Sequence, residues 1–366
     1  MEKPATKLFA PHPAACLATF AHTRPWHSAV CTWLMFGLGI LCGAFLIAQP
    51  LRADPYLADF EYLYPVARFE LHSQQQDLWM SYMDVAPSGQ ANGKTAVLLH
   101  GKNFCGATWE TTIQALSTAG YRVIVPDQVG FCRSAKPRAY QFSLHQLAAN
   151  THALLQALHI ERPIVIGHSM GGMLAMRYAL MYPQQTGALV LVNPIGLEDW
   201  KAKGVPLSTV DELYAGELKT TRESIKAYQQ KVYYDGHWKP DYDRWVDMLA
   251  SMYAGKDGDL VAWNQALASN MILSQPVIHE IDRIAVPTLL LIGLKDTTAI
   301  GRNRASPEDA KALGNYTALA PAAAERIQGA RLIPFPDLGH SPHVEAPEQF
   351  HGVMLEALSA LPAHAR

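Results

Sequence analysis

Two hydrophobic rhythms alternate along most of the chain. Residues 79–85, 95–99, 122–126, 163–166 and 188–192 are short runs rich in β-branched and aliphatic side chains, which predicts strands. Between them, residues 143–158 and 170–181 carry apolar positions at helical spacing. Strands such as Ala96-Val97-Leu98-Leu99 and Ile164-Val165-Ile166 have no polar face. They are therefore expected to be buried on both sides, in a parallel sheet covered by helices. After Gly196 the alternation stops, and residues 197–282 read as helices broken at Gly204-Val205-Pro206 and Asp235-Gly236. Strand character returns at 288–292 and 331–334, and residues 347–361 form a closing helix. The expected fold class is α/β: a mostly parallel sheet flanked by helices, with a helical cap inserted in it. The segments are 1–53 as a leader, 54–196 and 286–366 as the two parts of the core, and 197–285 as the cap.

The leader is a separate feature. Residues 29–48 contain no charge, about the length that a helix needs to cross a bilayer. Lys3, Lys7 and Arg24 precede the run against Glu2, whereas Arg52 behind it is outnumbered by Asp54, Asp59 and Glu61. This bias keeps the N-terminus cytoplasmic and predicts that the rest is exported, to the periplasm or another extracytoplasmic space. Leu51-Arg52-Ala53 offers a signal-peptidase site, yet the apolar run is longer than a usual signal core. A cleaved signal and an uncleaved anchor both fit, and any membrane contact is expected through this segment alone. Cys31 follows Val30 and Cys42 follows Leu41, so neither has the small preceding residue of a lipoprotein site.

Composition narrows the class further. Hydrophobic residues make 49% of the chain and charged ones 17%, the balance of a chain that buries a core. Thirty Lys and Arg stand against 32 Asp and Glu, a formal charge of -2. Without a basic run, nucleic acid is not an expected partner. There is no H-E-x-x-H, no C-x-x-C and no dinucleotide glycine loop, so neither a metal nor a cofactor is implied. Of five cysteines, Cys16, Cys31 and Cys42 lie in the leader. Cys105 and Cys132 remain for the body, where an oxidising compartment permits pairing.

The strand at 163–166 runs into Gly167-His168-Ser169-Met170-Gly171-Gly172 and then into a helix. This is G-x-S-x-G in a strand-turn-helix context, and it makes Ser169 the candidate nucleophile. A serine hydroxyl needs an imidazole to take its proton and a carboxylate to orient that imidazole. Both follow in chain order: Asp296 in Gly293-Leu294-Lys295-Asp296, and His340 in Asp337-Leu338-Gly339-His340. The chain here resembles the α/β-hydrolase superfamily, in particular its cap-bearing members. The resemblance is carried by His100-Gly101, the G-x-S-x-G turn, the acid loop, and Gly339-His340-Ser341-Pro342-His343-Val344-Glu345-Ala346-Pro347-Glu348-Gln349-Phe350, and it covers residues 65–362. It implies hydrolysis through an acyl-enzyme. Some relatives carry the acid after the preceding strand, where this chain has Asn193, Glu198 and Asp199. His343 is a second histidine near the base, and His168 is expected to pack beside the turn.

The resemblance also places an oxyanion hole, with one N–H from Met170 and the other from Lys102, which follows His-Gly; Asn103 is the substitute. Relatives often have a small or apolar residue where Lys102 stands. The lysine side chain is expected to reach solvent, and a cation selecting acidic substrates is the sharper alternative. Asp127-Gln128-Val129-Gly130-Phe131-Cys132-Arg133-Ser134 resembles a second family loop with Cys132 in place of a glycine. In that fold the two loops are neighbours, which implies a disulfide between Cys105 and Cys132. The cap holds Trp200, Trp238, Trp245 and Trp263, half of the eight tryptophans. Some of its rings are expected to line an apolar pocket for an acyl or alcohol group. The expected activity is that of a carboxylesterase-like serine hydrolase on a small ester or lactone. Amide or carbon-carbon bond hydrolysis by the same three residues, and a silent binding protein on the same fold, are the alternatives.

Overall fold

The computed structural model describes residues 53–361, all within one compact unit, Pro50–Arg366. The apolar run 29–48 lies outside the described residues, and no helix among those described is long and apolar enough to cross a membrane. Eight strands form one sheet: β1 (Val66–Ser73), β2 (Gln76–Val85), β3 (Thr95–Leu99), β4 (Arg122–Pro126), β5 (Ile164–His168), β6 (Ala188–Val192), β7 (Thr288–Gly293) and β8 (Arg331–Phe335). Their order is β1-β2-β4-β3-β5-β6-β7-β8. β1–β2 and β2–β4 pair antiparallel, and every other pair is parallel.

The parallel strands are apolar throughout because both sheet faces are covered. Along β3, Ala96 and Leu98 pack with Trp109, Ile113, Phe350 and Met354. Val97 and Leu99 point the other way, toward Leu147, Leu154 and Leu174. The first face is covered by α1 (Glu110–Thr118) and the second by α2 (Leu144–Ala157) and α3 (Met170–Met181). Burying each such aliphatic side chain contributes roughly 1.5–3 kcal/mol. The predicted strands do not include β1, although Arg68-Phe69-Glu70-Leu71-His72 alternates as a half-buried edge strand does, with Arg68, Glu70 and His72 facing solvent. β1 turns into β2 through Gln74 and Gln75, at φ 51° and 61°. This is a two-residue hairpin turn built without the Asn-Gly or Asp-Gly signal that usually marks it.

Between β6 and β7 lie α4 (Val210–Glu217), α5 (Arg222–Val232), α6 (Asp243–Tyr253) and α7 (Gly258–Ser274). Thr209 starts α4 in a capping box with Glu212, and Thr221 starts α5 in one with Ser224. Two of the four tryptophans, Trp245 and Trp263, fasten these helices to the core, and Trp200 and Trp238 make local contacts. The Trp200 Nε1–H donates to Glu198, that of Trp263 donates to the Arg138 carbonyl, and Trp245 and Trp238 pack on Phe60 and Tyr242. After β7 come α8 (Pro307–Ala312) and α9 (Tyr316–Arg326), and after β8 the short α10 (Pro342–Glu345) and α11 (Pro347–Ser359). The stretch 300–320 thus holds α8 and the start of α9, fastened to the β6 loop by Tyr316 Oη donating to the Pro194 carbonyl.

β3 and β4 are parallel neighbours, and the loops leaving them are joined by a disulfide between Cys105 and Cys132 with Cα atoms 5.8 Å apart. A link across a sequence separation of 27 residues restricts the unfolded chain by about 3.5 kcal/mol in the loop-entropy model. Replacing both cysteines with serine should lower the free energy of unfolding in urea by about that amount. An unchanged denaturation midpoint would show that the bond does not restrain the unfolded chain.

Candidate active site

Ser169 sits where β5 becomes α3, with φ 56° and ψ -120°, a region that an L-residue occupies only under constraint. The constraint is visible. Its N–H donates to the Val192 carbonyl (3.2 Å), and its own carbonyl accepts from Gly172 (2.9 Å) and Ile195 (3.2 Å). A Cβ on Gly171 would collide with the Leu99 carbonyl oxygen, so only glycine lets α3 start this close to β3. Met170 opens α3, and its N–H therefore has no intrahelical acceptor. The His100-Gly101 loop runs against the serine: a Cβ on Gly101 would lie 2.9 Å from Ser169 Cβ.

Asp296 and His340 meet. His340 Nδ1 donates to Asp296 Oδ2 at 2.7 Å, with both side chains fully buried. The second acceptor site of the carboxylate is also used: Asn193 Nδ2 donates to Oδ2 (3.0 Å) and the Thr298 N–H to Oδ1 (2.8 Å). Of the alternatives after β6, Asn193 therefore partners the Asp296 carboxylate. Glu198 instead binds Trp200, Lys203 and the Gly314 N–H, and Asp199 pairs with His279. With Nδ1 protonated toward Asp296, Nε2 of His340 keeps its lone pair. Nε2 is buried and makes no hydrogen bond, so Ser169 is not hydrogen-bonded to it.

Other groups fix the imidazole. The His340 N–H donates to the Tyr233 carbonyl (2.8 Å), and the Tyr233 ring stacks on the imidazole with centroids 4.5 Å apart. Asn103 Nδ2 donates to Tyr233 Oη at 2.9 Å. Tyr233, at the end of α5, is a positioning residue that sequence motifs do not reveal, since it lies in the cap and belongs to none of them. His168 Nε2 donates to the His340 carbonyl (2.9 Å). Burial, reinforced by His343 and His340, holds the His168 imidazole well below its ordinary pKa, so it is a neutral donor. His343 is likewise held neutral by burial, stacks on Trp109 at 4.4 Å, and does not reach Asp296.

The side chain of Lys102 departs from both expectations. Its ammonium lies 2.7 Å from Glu217 Oε1, with the two side chains only 14% and 16% exposed. Glu217 also accepts from Tyr253 Oη (2.7 Å) and from Ser269 Oγ (3.5 Å). The lysine is thus neither a solvated charge nor a free cation, but joins the loop after β3 to α4 and α7. Asn103 likewise spends its side chain on Tyr233, which leaves backbone N–H groups as what this loop can offer to a developing oxyanion. Cys105, Asp127 and Cys132 place ligand-type atoms within 4.8 Å of one another. Both sulfurs are in the disulfide, and Asp127 accepts from Gly106, Tyr62 and Arg133, so no donor remains for a metal.

Comparison with known proteins gives a consistent picture. A family model described as alpha/beta hydrolase fold matches residues 95–347. A probable hydrolytic enzyme from Pseudomonas aeruginosa, known from its crystal structure, is 58% identical with a TM-score of 0.83, covering 84% of this chain and 99% of its own. Lipase 1 of Psychrobacter immobilis is 30% identical over 275 residues, 72% of this chain and 76% of the lipase. A 2-hydroxy-6-oxononadienedioate/2-hydroxy-6-oxononatrienedioate hydrolase of Paraburkholderia xenovorans is 32% identical over 209 residues, 56% of this chain and 71% of that enzyme.

Removing one partner of a secluded ion pair strands the other. Lys102→Met and Glu217→Gln should each destabilise the protein, and the double variant should be less destabilised than their sum by about 2 kcal/mol. Additive losses in a denaturant titration of the four proteins would show that the pair does not join cap to core.

Proposed function

The chain belongs to the α/β-hydrolase fold family, and on that premise we propose that it is a serine hydrolase that cleaves a small ester or lactone through an acyl-enzyme. One observation carries this reading: a buried imidazole tied to Asp296 at 2.7 Å, its far nitrogen unpartnered, on a residue whose carbonyl is bonded to His168, the neighbour of a serine held at a helix N-terminus. That arrangement has a nucleophile, a base and an orienting anion, and Ser169, His340 and Asp296 take those roles. The proton path requires Ser169 Oγ to come within hydrogen-bond reach of Nε2, as catalytic hydrogen bonds often form only when substrate is bound.

The steps follow from the groups present. Ser169 Oγ attacks the acyl carbon while Nε2 takes the hydroxyl proton, and the imidazolium is stabilised by Asp296. The N–H of Met170, with that of Lys102 or Asn103, receives the oxyanion. The ester C–O bond then breaks as Nε2 returns the proton to the departing alkoxide. Water repeats the sequence on the acyl-enzyme, and Ser169 regains its proton. Lipase 1 of Psychrobacter immobilis, similar over most of this chain, supports an ester as substrate. We propose Tyr228, whose ring is 5.3 Å from that of Tyr233 and which is 39% exposed, as a contact for the acyl or alcohol group. We further propose that the enzyme acts after export, with residues 29–48 as signal or anchor; a disulfide between the two site loops suits an oxidising compartment.

Full-length protein assayed on p-nitrophenyl esters of graded chain length, with the matching anilides alongside, tests the proposal. Ester turnover should be lost in Ser169→Ala and reduced by about four orders of magnitude in Asp296→Asn. Wild-type rates in Ser169→Ala would refute the nucleophile, and faster turnover of anilides than of esters would move the substrate class to amides.

A further inference from the structure

His340 stands between two backbone N–H groups that share one acceptor. Gly339 N–H lies 3.0 Å from both Oε1 and Oε2 of Glu345, and Ser341 N–H donates to Oε1 at 3.1 Å. Glu345 closes α10 and sends its side chain back to the start of the loop. An ionised carboxylate is an acceptor at both oxygens, so it can serve both N–H groups. A protonated carboxyl, or an amide, can still reach both N–H groups through Oε1 but gives up the second contact, from Oε2 to the Gly339 N–H, and so holds the loop less firmly.

We propose that Glu345 is a positioning residue of the reaction: its ionised carboxylate gathers the residues before and after His340 and so holds the imidazole in line with Asp296. The inference rests on the serine-hydrolase function proposed above. Glu345 acts on the main chain either side of His340 and not on the ring itself.

The surroundings make this carboxylate responsive to pH. Burial is the main cause that pushes it up to about 7, against the pull of the Gly339 and Ser341 N–H groups. Asp296, on the loop after β7, adds to the rise, whereas Lys239 of the cap opposes it. The Lys239 ammonium donates at 2.7 Å to the main-chain oxygen of Glu345. Tyr234 and Tyr242 face it from the cap as phenols held protonated by burial. On its own loop, His340 is the ring being positioned and His343 stays neutral. The sign follows. A raised carboxyl pKa means that the fold favours the protonated form, so as pH rises through about 7 ionisation costs stability while it gathers the loop.

The test is the acid limb of ester hydrolysis by the full-length protein. Both His340 and Glu345 must be unprotonated, so log(kcat/KM) of the wild type should fall toward low pH with a slope approaching about 2. Glu345→Gln should show a slope of about 1, with kcat at pH ~8 reduced about tenfold and KM nearly unchanged. Glu345→Asp, which keeps the charge, should retain the steeper limb. A wild-type slope of about 1, or the same steep limb in Glu345→Gln, overturns the proposal; the wild-type profile decides even if a variant fails to fold. Failure of the serine-hydrolase function itself shows separately, as ester turnover by Ser169→Ala.

Discussion

A buried imidazole keeps one direction only when its polar edges and its main-chain groups all meet partners, because an unmet polar group in a dry interior costs about as much as the bond it lacks. His340 satisfies this condition on every side but one. Nδ1 meets Asp296, the main-chain N–H and carbonyl meet Tyr233 and His168, and the ring face meets Tyr233. The remaining atom, Nε2, is unpartnered. The rest of the site can be understood as support for that single open valence. Asn193 fixes the carboxylate, Asn103 fixes Tyr233, and the neutral state of His168 lets it donate without bringing a charge beside the His340 imidazole.

The sheet supplies the frame in which these parts converge. Ser169, Asp296 and His340 follow β5, β7 and β8, strands linked through β6 by parallel pairing. Their carboxyl ends therefore lie along one edge, where open α/β sheets place their ligands. The alternating packing of Leu289 and Leu291 against one core and Leu290 and Ile292 against the other fixes the direction in which β7 delivers Asp296. Hydrophobic burial sets the positions of the strands, and hydrogen bonds set the last ångström.

Much of this is legible in the amino-acid order, and what is not has physical reasons. The parallel strands are visible because two covered faces require uninterrupted aliphatic runs. The serine turn is visible because steric crowding at Gly171 leaves a fixed spacing. β1 shows only a short alternation, Arg68-Phe69-Glu70-Leu71-His72, and its Gln74-Gln75 turn lacks the glycine that would confirm a hairpin. The partner of Lys102 is hidden because Glu217 lies more than a hundred residues away on an element whose placement no local pattern encodes. Tyr233 is hidden for the same reason, and among the cap's many rings its composition alone does not single it out.

Tyr233 has a consequence for how such enzymes diversify. The last turn of α5 belongs to the insertion, yet its carbonyl and its ring are half of what moors His340. Exchanging the insertion for one from a distant homologue would thus do more than reshape substrate preference. The graft would deliver a well-folded core with its imidazole adrift, unless the donor brought an equivalent aromatic residue and carbonyl to the same spot. Modularity in this molecule stops one side chain short of the boundary that the strands suggest.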